Sequence, residues 1–157
     1  MPLIIPNTFA VRTGSIQLSE IDDNFQYLAT QLTPYVDTTS SGTYTPTAVS
    51  TNTNVASVTF SECQYMRVGL AVTVSGQLAI TATTAATDTI VKISLPIASN
   101  FSASRNLAGV GSSLTTPYAV NNIAIMADAT NDCVELRLRP SVNTALNYNF
   151  SFTYRII

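Results

Sequence analysis

Asn147-Tyr148-Asn149-Phe150-Ser151-Phe152-Thr153-Tyr154-Arg155-Ile156 alternates a polar side chain with a large apolar or aromatic one at every step. A period of two marks a half-buried β-strand, because successive side chains leave the backbone on opposite faces. Tyr148, Phe150, Phe152, Tyr154 and Ile156 share one face. Asn147, Asn149, Ser151, Thr153 and Arg155 share the other. The same period recurs upstream, where Val72, Val74, Gly76, Leu78 and Ile80 alternate with Thr73, Ser75, Gln77 and Ala79. Val134, Leu136 and Leu138 alternate with Cys133, Glu135, Arg137 and Arg139, which puts the charges on one face. Ile90 to Leu95 is a short apolar strand closed by Pro96, and Ile123 to Met126 is another. With weaker runs at Thr43 to Val49, Asn54 to Phe60 and Gln64 to Val68, eight or nine short strands are expected, separated by Asn, Gly, Ser and Pro clusters. This spacing predicts a mostly β chain, an antiparallel β-sandwich or jelly roll. A parallel sheet would need crossover helices, which residues 43–157 do not offer. No repeat of fixed period points to a solenoid.

The first 33 residues follow a different rule. Leu18, Ile21, Phe25, Leu28 and Leu32 recur at intervals of three and four, the a/d seam of a coiled coil on a short α-helix. Ser19 is the expected cap, Glu20, Asp22 and Asp23 suit the first turn, and Pro34 is expected to end the helix. About two heptads are too short to stand alone. The seam therefore needs symmetry mates, another docking surface, or the chain's own β region. Pro2 to Ser15 reads as an extended arm. The expected organisation is an arm and helix over residues 1–36, a polar linker over 37–42, and a β head over 43–157.

The aromatic strand leaves two readings open. Its Tyr/Phe row either packs in the core of one sandwich or lies partly on a subunit interface, where aromatics are enriched. A row this apolar at the end of the sequence is expected to be tied down. Together with the N-terminal seam, it points to a cyclic oligomer whose axis runs through both, a homotrimer first among them.

Composition limits the chemistry. Thr, Ser and Asn make up 51 of 157 residues, whereas only 10% are charged, so the surface is expected to be built from small uncharged polar groups. There is no His, which removes a Ser-His-Asp triad, a Cys-His pair and His-ligated metal. Seven basic residues and a net charge of -2 do not form a footprint for nucleic acid. No stretch is long and apolar enough for a membrane span, and the start lacks the basic region of a signal peptide. Cys63 and Cys133 lack metal-ligand spacing and are expected to be reduced thiols. No cofactor is expected.

A carboxylate pair is the one common hydrolytic arrangement that needs no His. Asp128, Asp132 and Glu135 form the candidate cluster, but Asp128 and Asp132 sit in Ala127-Asp-Ala-Thr-Asn-Asp132, which reads as a solvated hairpin turn. Asp88 has the same explanation. Gly109-Val-Gly111 is too short for a phosphate loop. Arg137 and Arg139 could take an anionic sugar, although a solvated charged face accounts for them.

The segment Asn7-Thr-Phe-Ala-Val-Arg-Thr-Gly-Ser-Ile-Gln-Leu-Ser-Glu-Ile-Asp-Asp-Asn-Phe25 resembles the N-terminal segment of tail-fibre, tailspike and related virion proteins of tailed bacteriophages. Gly42-Thr-Tyr-Thr-Pro46, Cys63-Gln-Tyr-Met-Arg-Val-Gly69, Val72-Thr-Val-Ser-Gly76, Ile93-Ser-Leu-Pro-Ile-Ala-Ser-Asn-Phe101 and Phe152-Thr-Tyr-Arg-Ile-Ile157 look like a β domain recurrent in phage structural proteins. The resemblance implies a non-enzymatic homotrimer on the virion exterior. Its N-terminus would attach to a tail adaptor, nozzle or capsid protein, and its jelly-roll head would face host surface polysaccharide. Typical fibres have a long shaft that is almost absent here, so a capsid decoration protein or head fibre is the alternative.

Overall fold

The computed structural model describes residues 14–15, 17–36, 39–49, 52–114 and 122–157. The arm expected over Pro2 to Ser15 lies mostly outside them. The chain divides into two compact units at Thr39/Ser40.

The first unit carries one helix, α1, Leu18–Val36. Its start differs from the Ser19 cap expected from sequence. Glu20 N–H donates to the Gln17 carbonyl at 3.1 Å, and the Glu20 carboxylate accepts from the Gln17 N–H at 3.3 Å. Gln17 is thus the capping position and Glu20 supplies the returning half of a capping box. The helix also runs past Pro34. A proline in the last turn forfeits a single backbone hydrogen bond there, far less than it disturbs mid-helix.

The second unit is antiparallel β. Its strands are β1 Thr39–Tyr44, β2 Val55–Phe60, β3 Cys63–Val68, β4 Ala71–Ala82, β5 Thr89–Ile93, β6 Leu107–Ser113, β7 Asn122–Asp128, β8 Cys133–Leu138 and β9 Leu146–Arg155. The stretch expected to link the units, 37–42, therefore contributes residues 39–42 to β1. All nine strands belong to one sheet in the order β1-β3-β4-β9-β6-β7-β8-β5, with β2 also on β4. Twelve-residue β4 makes this possible. Its first half pairs with β3 and its second half with β2, while β9 runs along its other side from Ala71↔Arg155 to Ile80↔Leu146.

The sheet curls back on itself. Thr53 and Ile90 exchange backbone hydrogen bonds at 3.0 and 3.1 Å, Val49 N–H reaches the Lys92 carbonyl at 3.1 Å, and Ser94 N–H reaches Thr47 at 2.9 Å. The chain that enters β2 thus also borders β5. Asn54, at φ 56°, locks the closure: its side chain accepts from Thr84 N–H at 2.8 Å and donates to Thr89 Oγ1 at 2.8 Å. Asn tolerates this left-handed geometry better than a branched residue would.

The core fills the concave face, and the quoted strand supplies its centre. β9 alternates without exception, with Tyr148, Phe150, Phe152 and Tyr154 no more than 4% exposed. Space for the rings comes from glycine. Phe150 lies between Gly76 and Gly111, and Phe152 between Val74 and Gly109, in the ladders on either side. A Cβ on Gly109 would come within 2.5 Å of both Phe152 Cβ and the Ser151 carbonyl. The short glycine pattern is therefore a packing device.

Candidate functional site

Two surfaces and one polar cluster carry the groups singled out from sequence. The first surface is the α1 stripe. Leu18 is 80% exposed, Phe25 66% and Leu28 38%, with Ile21 half-buried. The Leu32 side chain lies outside the described residues. The stripe is apolar and periodic.

The second surface is the convex face of the sheet. Cross-strand pairing aligns Met66, Thr73, Thr153, Ala108 and Met126 in one row across β3, β4, β9, β6 and β7. A second row is Gln64, Ser75, Ser151, Val110 and Ala124, and a third is Gln77, Asn149, Ser112 and Asn122. These rows contain no charge and no aromatic ring. Their polar groups pair with one another: Thr73 and Thr153 hydroxyls lie 3.1 Å apart, Gln77 Nε2 donates to Asn149 Oδ1 at 3.1 Å, and Ser151 Oγ donates to the Val74 carbonyl at 3.0 Å. Polar groups already paired within the face can lose water at little cost. Val110, 73% exposed, stands on this face beside a shallow recess of about 590 Å³.

Of the two readings left open for the aromatic row, the structure takes core packing over a subunit interface. Tyr148, Phe150, Phe152 and Tyr154 point into the core of a single chain, and Ile156 is half-buried beside them. Strand alternation leaves only Asn147, Asn149, Ser151, Thr153 and Arg155 of β9 facing out, so any subunit contact on this strand must use that polar side.

The turn expected at 129–132 is present and Asp132 is exposed on it, but Asp128 and Glu135 are not solvated. Asp128 is 9% exposed and Glu135 8%. Lys92 Nζ lies 2.6 Å from Asp128 Oδ2 and 3.7 Å from Glu135 Oε2, and Arg137 Nε donates to Glu135. Asp128 Oδ1 also accepts from the N–H groups of Thr130 at 2.9 Å and Asn131 at 3.3 Å, and Oδ2 accepts from Asn131 Nδ2 at 2.7 Å. Burial pushes the Asp128 carboxyl up, but the Lys92 ammonium and these donors outweigh it and hold the group well below the usual range. Asp132 accepts from Phe101 N–H at 2.7 Å. An Asp128 carboxylate kept ionised and surrounded by donors is suited to holding the β7–β8 hairpin on β5, and poorly suited to donating a proton. Cys133 borders the cluster, its thiol pushed up to about 11 by burial and by Asp128. Both cysteines are free and buried.

Sequence reasoning missed a further group. Arg105 and Arg155 line a recess of about 600 Å³ with Leu70, Asn106, Ile156 and Ile157. The two arginines are fifty positions apart, and only the β6–β9 pairing brings them together. No protein-family model, curated protein or solved structure matches the chain.

Proposed function

We propose that this chain is a non-enzymatic structural protein of a tailed-bacteriophage virion, a short homotrimeric tailspike or tail fibre. Residues 1–36 attach to the particle and trimerise, and the curled sheet serves as a jelly-roll head that meets host surface glycan. The observation that carries the reading is the heptad-spaced apolar stripe of α1, with Leu18 at 80% and Phe25 at 66% exposure, a seam that suits symmetry mates or a docking partner. The three cross-strand rows of the convex face from β3 to β7, uncharged and partly paired among themselves, support it. Such a face packs against copies of itself without charge repulsion, and it offers no aromatic platform for a sugar ring. The resemblance of Asn7 to Phe25 to fibre attachment segments supplies the virion context.

A capsid decoration or head-fibre protein is the second reading, favoured by the near absence of a shaft between helix and head. Immunogold labelling of intact particles separates the two: label on the tail supports the spike, and label only on the capsid lattice replaces it with decoration. A glycan-cleaving activity would instead show as reducing-end release from polysaccharide that Asp128→Asn or Glu135→Gln abolishes.

A further inference from the structure

The described cations divide into two groups. Lys92 is paired with Asp128, Arg137 with Glu135, Arg67 Nε donates to the Gly69 carbonyl at 2.8 Å, and Arg139 Nε donates to the Ala86 carbonyl at 2.6 Å. Arg105 and Arg155 have no protein partner among the described residues, and both line the same recess. Among the described residues of a chain of net charge -2, the uncommitted positive side chains are thus gathered at one place.

The surrounding backbone is fixed. Arg155 closes β9 opposite Ala71, Ser99 Oγ donates to the Arg155 carbonyl at 3.1 Å, and Ile156 N–H donates to the Leu70 carbonyl at 2.8 Å. On the other side, Asn106 Oδ1 accepts from the N–H groups of Ser102 at 3.0 Å and Ala103 at 2.7 Å, which sets the turn carrying Arg105. Leu70 at 47% and Ile157 at 53% exposure form an apolar wall.

We infer that this recess binds the acidic group of a sugar polymer, with Arg105 and Arg155 holding the oxyanion and Leu70 and Ile157 flanking the apolar edge of the ring. A guanidinium matches a carboxylate, sulfate or phosphate through paired N–H donors, and two on a rigid frame need little ordering on binding. Neutral glycan offers these groups no counter-charge. The inference deepens the host-glycan part of the proposed function and rests on it for its biological setting.

The test is biolayer interferometry of the full chain against immobilised polygalacturonate, dextran sulfate and unmodified dextran. Polygalacturonate carries carboxylates and dextran sulfate carries sulfates, so their relative signals identify the anion. Binding to at least one acidic polymer and none to dextran is expected. Arg105→Ala and Arg155→Ala should each weaken it about tenfold, the order expected for a lost charge-assisted contact. Arg137→Ala and Arg139→Ala, with their side chains committed elsewhere, should leave it unchanged. Oligomer mass and melting temperature of each variant confirm folding. Equal losses from all four variants would mean unspecific charge attraction and would overturn the site, as would binding to dextran or to none of the polymers. A chain found on the virion that binds no acidic polymer sinks the recess alone. A chain that binds through Arg105 and Arg155 but is absent from the virion sinks the functional setting and leaves the recess standing.

Discussion

The β9 row and the α1 stripe are both periodic sets of large apolar residues, yet they meet opposite fates. Along β9, Tyr148, Phe150, Phe152 and Tyr154 are at most 4% exposed; along α1, Leu18, Phe25 and Leu28 are 38 to 80% exposed. What differs is the number of neighbours the fold supplies. β9 is flanked on both sides, by β4 over ten paired positions and by β6 over seven, and glycines opposite its rings make room for them. A stripe on a single helix has no ladder on either side. The same kind of periodicity is core in the β unit, and on α1 it is the surface we propose for docking.

The comparison can be broken at its strongest point first. Phe152→Ala should destabilise the β unit by about 3 to 5 kcal/mol, the range for an emptied aromatic core site, measured by urea unfolding. Gly109→Ala should cost about 1 to 3 kcal/mol, because the added Cβ meets backbone that cannot move aside. Losses below about 0.5 kcal/mol at both positions would mean that the row is not the core.

Two tyrosines of the row should respond with opposite sign. Tyr154 Oη donates to the Ile97 carbonyl at 2.7 Å and accepts from the Ile97 N–H at 3.3 Å, so Tyr154→Phe should cost about 1 to 2 kcal/mol. Tyr148 Oη is buried without a partner among the described residues, and burial alone pushes its phenol up to about 12. Tyr148→Phe should therefore be neutral or stabilise by about 1 kcal/mol, because it removes an uncompensated polar group. Thermal melts of the two variants read the difference directly.

The cluster on β5, β7 and β8 provides a pH readout of the β unit alone. The Asp128 carboxyl is depressed in the folded chain, so its contribution is fully present above the unfolded value of about 4 and is lost as pH falls through the folded value. Stability should decline below about pH 4, and Asp128→Asn should flatten that decline. An unchanged slope in the variant would remove Asp128 from the linkage.

The smallest effect on the β unit belongs to the helix. Phe25→Asp should shift the melting of the β unit by no more than about 0.5 kcal/mol, as exposed positions usually do, while abolishing the trimer in light scattering. A trimer of unchanged mass would make the stripe local packing only.

Much of the strand pattern was legible because alternation is local. Ile123 to Met126 forms a strand as expected, and Val72 to Ile80 and Val134 to Leu138 form strands with the expected faces inward. The cap of α1 was misplaced by two residues, since Gln17 rather than Ser19 meets the returning Glu20. Asp128 and Glu135 defeated the expectation of solvation because Lys92, 36 and 43 positions away from them in sequence, lies directly opposite Glu135 in the ladder. The recess of Arg105 and Arg155 had no sequence signal, since alternation marked Arg155 only as outward-facing on its strand and nothing tied it to Arg105, fifty positions away.

Read without coordinates, the sequence determines the period-two strands, the aromatic row, the heptad stripe and the scarcity of charge, because each is a property of neighbouring residues or of composition. Only the tertiary structure decides that β9 sits between β4 and β6, that Gly76, Gly109 and Gly111 face its rings, and that two distant arginines share one recess. Alternation specifies which face a side chain takes. It cannot specify which strand lies alongside, since that choice depends on pairing and burial between segments far apart in the chain.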